Sequence, residues 1–523
     1  MPPLRTAAFE VEGRATLLGI SPEEKVFRSI WQPSTARAFA NLLKTMVGAG
    51  VLTLPQAAKN FGVVASNIGL IGAGYFSATA ILMLVKCNAK IRGAEGEGGG
   101  DGENPAGEGE MGTWQRIARA AYGRFGVALV ATAILVAQLG VCAAYFDFVV
   151  VTMVDHAGIT HTRALALTWV LLTLVSMPRQ LKSVALLSVA GLLTYVYVLV
   201  LLGMFASEAL DCSASANATA DGLACAVLAE RIHGTSPICH AGLTTQPALF
   251  RPRGFGAWFG PAIFAFEGMG TALSIYDAVV DATEQRAPAG TSRAVVRQAA
   301  DSAFKAVVYS AYSIGVALYI GVGTVGYLGF GEAVPGTVID AFPHGAARDS
   351  AESALAIVLG LTFALQMNPV WGLLEPALLC NDAVKMVWPL LRASVVGLIA
   401  LACSLIPEVE GMVAISGSVG FSLIGFILPG LFHLQLSSSR HTPLPSSSTA
   451  PTGAPQHWWA RAKAFARRIP RAFLRERRTG RRPRGYGDHL IAAALVTVGC
   501  TGSVLGVAAI FFGAQVAIVI PDC

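Results

Sequence analysis

Asn41-Leu-Leu-Lys-Thr-Met-Val-Gly-Ala-Gly-Val-Leu-Thr-Leu-Pro55 is an apolar helical stretch interrupted by Gly48, Ala49 and Gly50 and closed by a proline. It reads as a broken helix. In hydrocarbon an unpaired N–H or C=O costs several kcal/mol, so such a break survives only beside protein or a polar ligand. A second interruption is therefore expected to face it. Phe264-Ala-Phe-Glu-Gly-Met-Gly-Thr271 supplies one, with Glu267, Gly268 and Gly270 inside another apolar segment. Two interrupted helices at corresponding places in two halves point to a site near the middle of a bilayer.

The rest of the chain fits that setting. Its 523 residues are 54% hydrophobic and only 13% charged, with a mean hydropathy of +0.58. Apolar runs of roughly 20 residues, enough to cross about 30 Å of hydrocarbon, recur from residue 40 onward. The expectation is an all-α polytopic membrane protein with eleven transmembrane helices over about 38–58, 64–88, 126–154, 163–178, 182–207, 257–279, 303–328, 350–373, 386–406, 411–434 and 488–519. Residues 1–36 form a tail with Glu10, Glu12, Glu23 and Glu24 and no apolar run of signal-peptide length, so the N-terminus is expected uncleaved and cytosolic. That orientation puts 32 of the 38 Lys and Arg on the cytosolic side, as positive residues flanking spans require.

Within this frame residues 37–434 are the core of spans 1–10, and residues 487–523 hold span 11 and a short outer tail. Residues 89–112 are rich in Gly and Glu and are expected to be a disordered cytosolic linker. Residues 435–486 turn strongly basic from Arg461, which suits a charge block beside anionic headgroups or a regulatory lipid contact. The outer loop 208–256 carries Cys212, Cys225, Cys239 and an Asn217-Ala-Thr219 glycosylation sequon, and Cys523 falls on the same side. Those four cysteines are disulfide candidates whose connectivity allows three pairings.

At the first break, carbonyls of one half-helix and N–H groups of the next lose their intrahelical partners. A zwitterion suits such ends, its carboxylate on the N–H groups after Gly48 to Gly50 and its ammonium on the carbonyls. The alternative is that Gly48-Ala-Gly50 is only a small-residue packing face. Glu267 is costly at the centre of a span, which marks a pathway or relay; coupling ion transfer, contacting substrate and bracing the break all remain open to it. Asp147 in span 3 is expected to point into the bundle, as a proton relay or an interhelical hydrogen-bonding group. In span 8, Gln366-Met-Asn368-Pro369 either faces the same cavity, making Asn368 an ion-coupling candidate, or is a proline kink with amide bonds between helices.

No metal-ligand cluster, nucleophile elbow, Walker loop or dinucleotide fingerprint is present, so no cofactor, metal or enzymatic activity is expected. Gly321-Val-Gly-Thr-Val-Gly326 lies inside span 7, where helix packing explains it. Nucleic acid is excluded because the basic residues flank spans.

These residues resemble the amino acid/auxin permease family, within it the proton-coupled amino acid transporters and their vacuolar relatives. Lys44-Thr-Met-Val-Gly-Ala-Gly-Val-Leu-Thr-Leu-Pro55 is similar to that family's first span, Gln138-Leu-Gly-Val-Cys142 to its third and Phe264-Ala-Phe-Glu-Gly-Met-Gly270 to its sixth. Pro178-Arg-Gln-Leu-Lys182, Thr324-Val-Gly-Tyr-Leu-Gly-Phe-Gly331 and Ser416-Gly-Ser-Val-Gly420 agree in order. The resemblance implies a five-plus-five inverted repeat with broken helices 1 and 6, and alternating-access symport of amino acids with protons. It places substrate contacts on Thr45, Gly48, Ala49, Gly50, Phe266, Glu267 and Gly268. Some proton-coupled members carry His where this chain has Asn41. With no Arg or Lys in either break, small neutral amino acids are the expected substrates, in a vacuolar, lysosomal or plasma membrane. Sodium coupling is the nearest alternative, and a non-transporting amino acid sensor is the alternative from another class.

Overall fold

The computed structural model describes residues 33–96, 113–177, 184–218, 247–288, 291–378, 387–405, 409–438 and 486–517. The described residues are helical, with no strand among them. Helix α1 (Pro33–Met46) gives way to a 3-10 turn (Ala49–Thr53) and then to α2 (Leu54–Phe61). The two arms bend by 46° across this break. Pro55 sits in the first turn of α2, where its missing N–H removes no helical hydrogen bond.

A long helix α3 (Val63–Gly96) follows, then α4 (Thr113–Ala157), α5 (His161–Ser176) and α6 (Val184–Ala218). The second interrupted segment consists of α7 (Phe255–Ala265), a 3-10 turn (Glu267–Met269) and α8 (Ala272–Glu284). Next come α9 (Arg293–Phe330), α10 (Ala346–Leu378) and α11 (Trp388–Leu405). Helix α12 (Val409–Ile415) passes through π-helical turns at Ser416–Phe421 and Leu423–Ile427 into α13 (Leu428–Ser438), and α14 (Tyr486–Ala517) closes the bundle.

Among the described residues, eight helices and the bent α1–α2 pair are long and apolar enough to cross a membrane. The protein is a polytopic all-α membrane protein. The expected span at 163–178 corresponds to the shorter apolar α5, and that at 257–279 to the interrupted α7 and α8. Helix α9 packs on α1, α2, α3 and α6, while α4 packs on α10 and the π-helical stretch.

Hydropathy located the spans better than their ends. Residues 89–96, assigned to the linker, continue α3. Charge ends an apolar run without ending a helix, and here Lys86 pairs with Asp488 of α14 at 2.9 Å while Lys90 donates to the Leu436 carbonyl at 2.5 Å. Residues 208–218, assigned to a loop, likewise continue α6. Ahead of span 3, residues 113–122 form an unanticipated helical segment that turns into the span at Gly123, whose φ of 63° favours glycine. Residues 1–32, 97–112, 219–246, 439–485 and 518–523 lie outside the described residues, and with them Cys225, Cys239, Cys523 and most of the predicted tail and loops. The side chains of Cys212 and Asn217 are outside them too.

Candidate functional site

The C-terminal ends of α1 and α7 approach each other. A helix leaves its last four carbonyls without intrahelical donors, and here Met46 and Ala265 are the last residues of their helices. Both carbonyl oxygens lie 2.5 Å from the hydroxyl of Tyr319, on α9. Tyr319 is fully buried, its ring edge-on to Phe266 at 5.0 Å, and the opposed ring of Tyr312 stacks on Phe266 at 5.8 Å with only 6° between planes.

Glycine is what lets the breaks approach. A Cβ on Gly50 would fall 2.6 Å from Phe264 Cδ1 and 3.0 Å from the Ala265 Cα; one on Gly268 would fall 2.6 Å from Thr45 Oγ1. Thr45 in turn donates to the Leu42 carbonyl at 2.8 Å, and Thr271 to the Gly268 carbonyl at 3.1 Å.

Beside the breaks, toward the face where α1 begins, lies a cavity of about 190 Å³. Lys44, Thr45 and Val47 line it from the first interrupted helix and Thr271 from the second; Tyr145 of α4, Tyr195 of α6, and Thr362 and Gln366 of α10 complete its polar wall. It is smaller than the ~300–1,000 Å³ typical of pockets for drug-sized ligands.

On the opposite face, an ion pair ties the segment before α7 to the turn that follows α9. Arg251, just before α7, donates to both oxygens of Glu332 at 3.0 and 2.7 Å, and the Tyr327 hydroxyl donates to the same carboxylate at 2.6 Å. This doubly bonded pairing raises the Arg251 pKa above its ordinary value. Lys59 adds a bond to the Val334 carbonyl at 3.2 Å, and Phe61, Phe255 and Trp258 pack beneath. The arrangement closes this face over the breaks while the cavity lies on the other. Arg251→Gln is expected to loosen the closure, so that a cysteine introduced as Val51→Cys is labelled several-fold faster by a membrane-impermeant thiol reagent applied to this face.

The structure brings Thr45, Gly48, Ala49, Gly50 and Gly268 together around the breaks, with Thr45 lining the cavity itself. Phe266 is fully buried against Tyr312 and Tyr319, so its ring backs the site. Glu267 begins the second 3-10 turn; its side chain lies outside the described residues. Asp147 is fully buried, as expected of an intramembrane carboxylate, yet Tyr145, two residues earlier, is the one that lines the cavity. Asn368 is not among the cavity's lining residues. It is exposed on α10 while Gln366 lines the cavity, because two helical residues differ by about 200° around the axis. Asn41 is also exposed.

Two contributors escaped the sequence reading. Lys44 was within the quoted motif, where a charge one turn before the break was the available signal. Tyr319 could have been found from Tyr312, Gly315 and Tyr319, which recur at one-face spacing on α9, with Gly315 leaving room for Met46.

A small cavity walled by two interrupted helices in a polytopic bundle defines a membrane carrier architecture, and sequence comparison gives the class. The family profile described as transmembrane amino acid transporter protein matches residues 32–451, and the chain belongs to that family. It is similar to the amino acid transporter AVT3B of Arabidopsis thaliana, with 26% identity covering 77% of this chain and 85% of that protein. It is also similar to the vacuolar amino acid transporter 3 of Schizosaccharomyces pombe, with 25% identity covering 67% of this chain and 45% of that protein.

Proposed function

We propose that the chain is a secondary active transporter that moves small neutral amino acids together with protons by alternating access. The observation that carries this reading is the convergence of two helix C-terminal ends, at Met46 and Ala265, beside a cavity of about 190 Å³. Those ends are electronegative and suit an ammonium, while the N–H groups opening the turn at Ala49–Thr53 suit a carboxylate. The cavity's small volume favours short side chains. Its described lining contains no acidic group, which disfavours cationic side chains. Lys44 in that wall supports a second reading, a substrate bearing an additional carboxylate.

Proton coupling rests on Glu267 at the second break, a carboxyl that can bind and release a proton as its surroundings change. The vacuolar relative supports an organelle membrane, and the excess of Lys and Arg on the side where α1 begins supports placing that face in the cytosol; an eleven-span, five-plus-five arrangement around the breaks completes the reading. Uptake of labelled amino acids into proteoliposomes under imposed pH or sodium gradients tests the reading. Uptake of alanine-sized substrates is expected to follow the pH gradient and to lose that dependence in Glu267→Gln. Uptake driven by sodium alone would reject proton coupling, stronger uptake of acidic than of neutral amino acids would favour the second reading, and a protein that binds without moving amino acids would be a sensor.

A further inference from the structure

We propose that the Tyr319 hydroxyl is a resident stand-in for the substrate's ammonium: it occupies the electronegative junction of the two breaks in the empty carrier and so allows that carrier to change conformation unloaded. The inference rests on the transport reading above and adds a positioning residue to it.

Two half-helices end at this junction, each contributing roughly half a negative charge. Their terminal carbonyls, on Met46 and Ala265, are sealed away from water; both residues are 2% exposed or less. Bare acceptors there would cost free energy in either conformation. They would cost more while the breaks slide past one another, because water is shut out and a lipid tail offers no donor. A bound amino acid brings an ammonium with three donors. The empty carrier has none unless the protein supplies one, and Tyr319 reaches both carbonyls at 2.5 Å.

The hydroxyl has a single proton to divide between these two oxygens. It therefore prevents the full cost of an empty junction without saturating it. An arriving ammonium can take over one carbonyl and share the other, so the hydroxyl delays substrate binding only modestly. The tyrosine ring is fixed behind the breaks by Phe266, which keeps the hydroxyl available at each turnover. A metal cation could fill the same place; a neutral hydroxyl does so without requiring that one be bound.

The role separates two transport modes. Net uptake into empty vesicles requires the unloaded carrier to return, whereas exchange of internal for external amino acid uses only the loaded carrier. In proteoliposomes containing the full chain, Tyr319→Phe is expected to lower net uptake of a labelled neutral amino acid about tenfold, the scale of one unsatisfied buried acceptor. Exchange should fall far less, and its KM should decrease because a competitor for the carbonyls is gone. Tyr312→Phe removes a hydroxyl from the same face of α9 and should leave the ratio of exchange to net uptake unchanged. Equal losses in both modes, or no loss in either, would overturn the inference and make Tyr319 a static brace or a bystander.

Should Tyr319→Phe fail to fold, site-specific 3-fluorotyrosine at position 319 keeps the ring and strengthens the donor. A raised KM with folding intact supports the stand-in, and an unchanged KM overturns it. Intact protein that transports no amino acid would overturn the transport reading and this inference together. Intact protein that transports while the ratio stays fixed overturns this inference alone.

Discussion

Gly50→Ala is expected to reduce amino acid uptake about a hundredfold while leaving a folded, membrane-inserted protein. The added methyl would sit 2.6 Å from the Phe264 ring and 3.0 and 3.1 Å from the Ala265 Cα and N. The ring has little room to retreat, because Phe421 packs edge-on against it at 5.6 Å. Ordinary carbon–carbon contact is about 3.5 Å or more, so the two breaks must separate by about 1 Å at the point where their carbonyls and N–H groups have to meet one small molecule. Misplacements of about 1 Å in a binding constellation cost on the order of a hundredfold. Gly72→Ala is the control: nothing lies within 4 Å of its Cβ position. Parallel uptake and size-exclusion profiles check both variants. Uptake within twofold of the unmodified protein in Gly50→Ala would show that the breaks need no such approach.

Arg392→Met is expected to have the largest effect on stability, about 3–5 kcal/mol. Arg392 is 3% exposed and draws three helices together near the end of α5. Its guanidinium donates to Glu375 of α10 at 2.8 and 2.7 Å and to the Ser176 and Met177 carbonyls at 2.5 and 3.1 Å. It also lies over the rings of Trp371 and Trp388, at 5.0 and 4.9 Å. Removing the cation takes two charge-assisted bonds from the Glu375 carboxylate and two from the last carbonyls of α5, whose helix end favours positive charge. Methionine preserves much of the apolar volume, so the loss reports the charge and its bonds. Thermal unfolding in detergent checks it; a midpoint equal to the unmodified protein's would mean that the carboxylate and carbonyls find other partners.

The breaks were legible because glycine and proline interrupt apolar runs that otherwise have every reason to continue, as Gly48 to Gly50 and Gly268 do. Their mutual approach followed from the cost of bare backbone in lipid. Rotational phase was much less legible. A polar pair such as Gln366 and Asn368 announces that a span has business with something other than lipid, but a shift of two residues decides which amide meets the cavity. The same ambiguity separates Tyr145 from Asp147. Tyr319 was obscured for another reason: a tyrosine within an apolar helix has the composition of core, and only the two carbonyls from distant segments reveal its use. The π-helical turns at Ser416–Phe421 and Leu423–Ile427 also left only indirect traces, since small residues permit close packing without specifying a change of winding.

The main chain just before α7 is stitched to the turn between α2 and α3. Val63 and Val64 donate to the carbonyls of Ala248 and Leu249 at 3.0 and 3.1 Å, and Arg251 donates back to Phe61 at 2.8 Å. Backbone seams of this kind do not depend on side-chain identity and resist shear. The far arms of both interrupted helices are thereby yoked, so a tug on either is delivered to its counterpart. Any rocking of the bundle should carry them as one lever, with the pivot left to the glycines below.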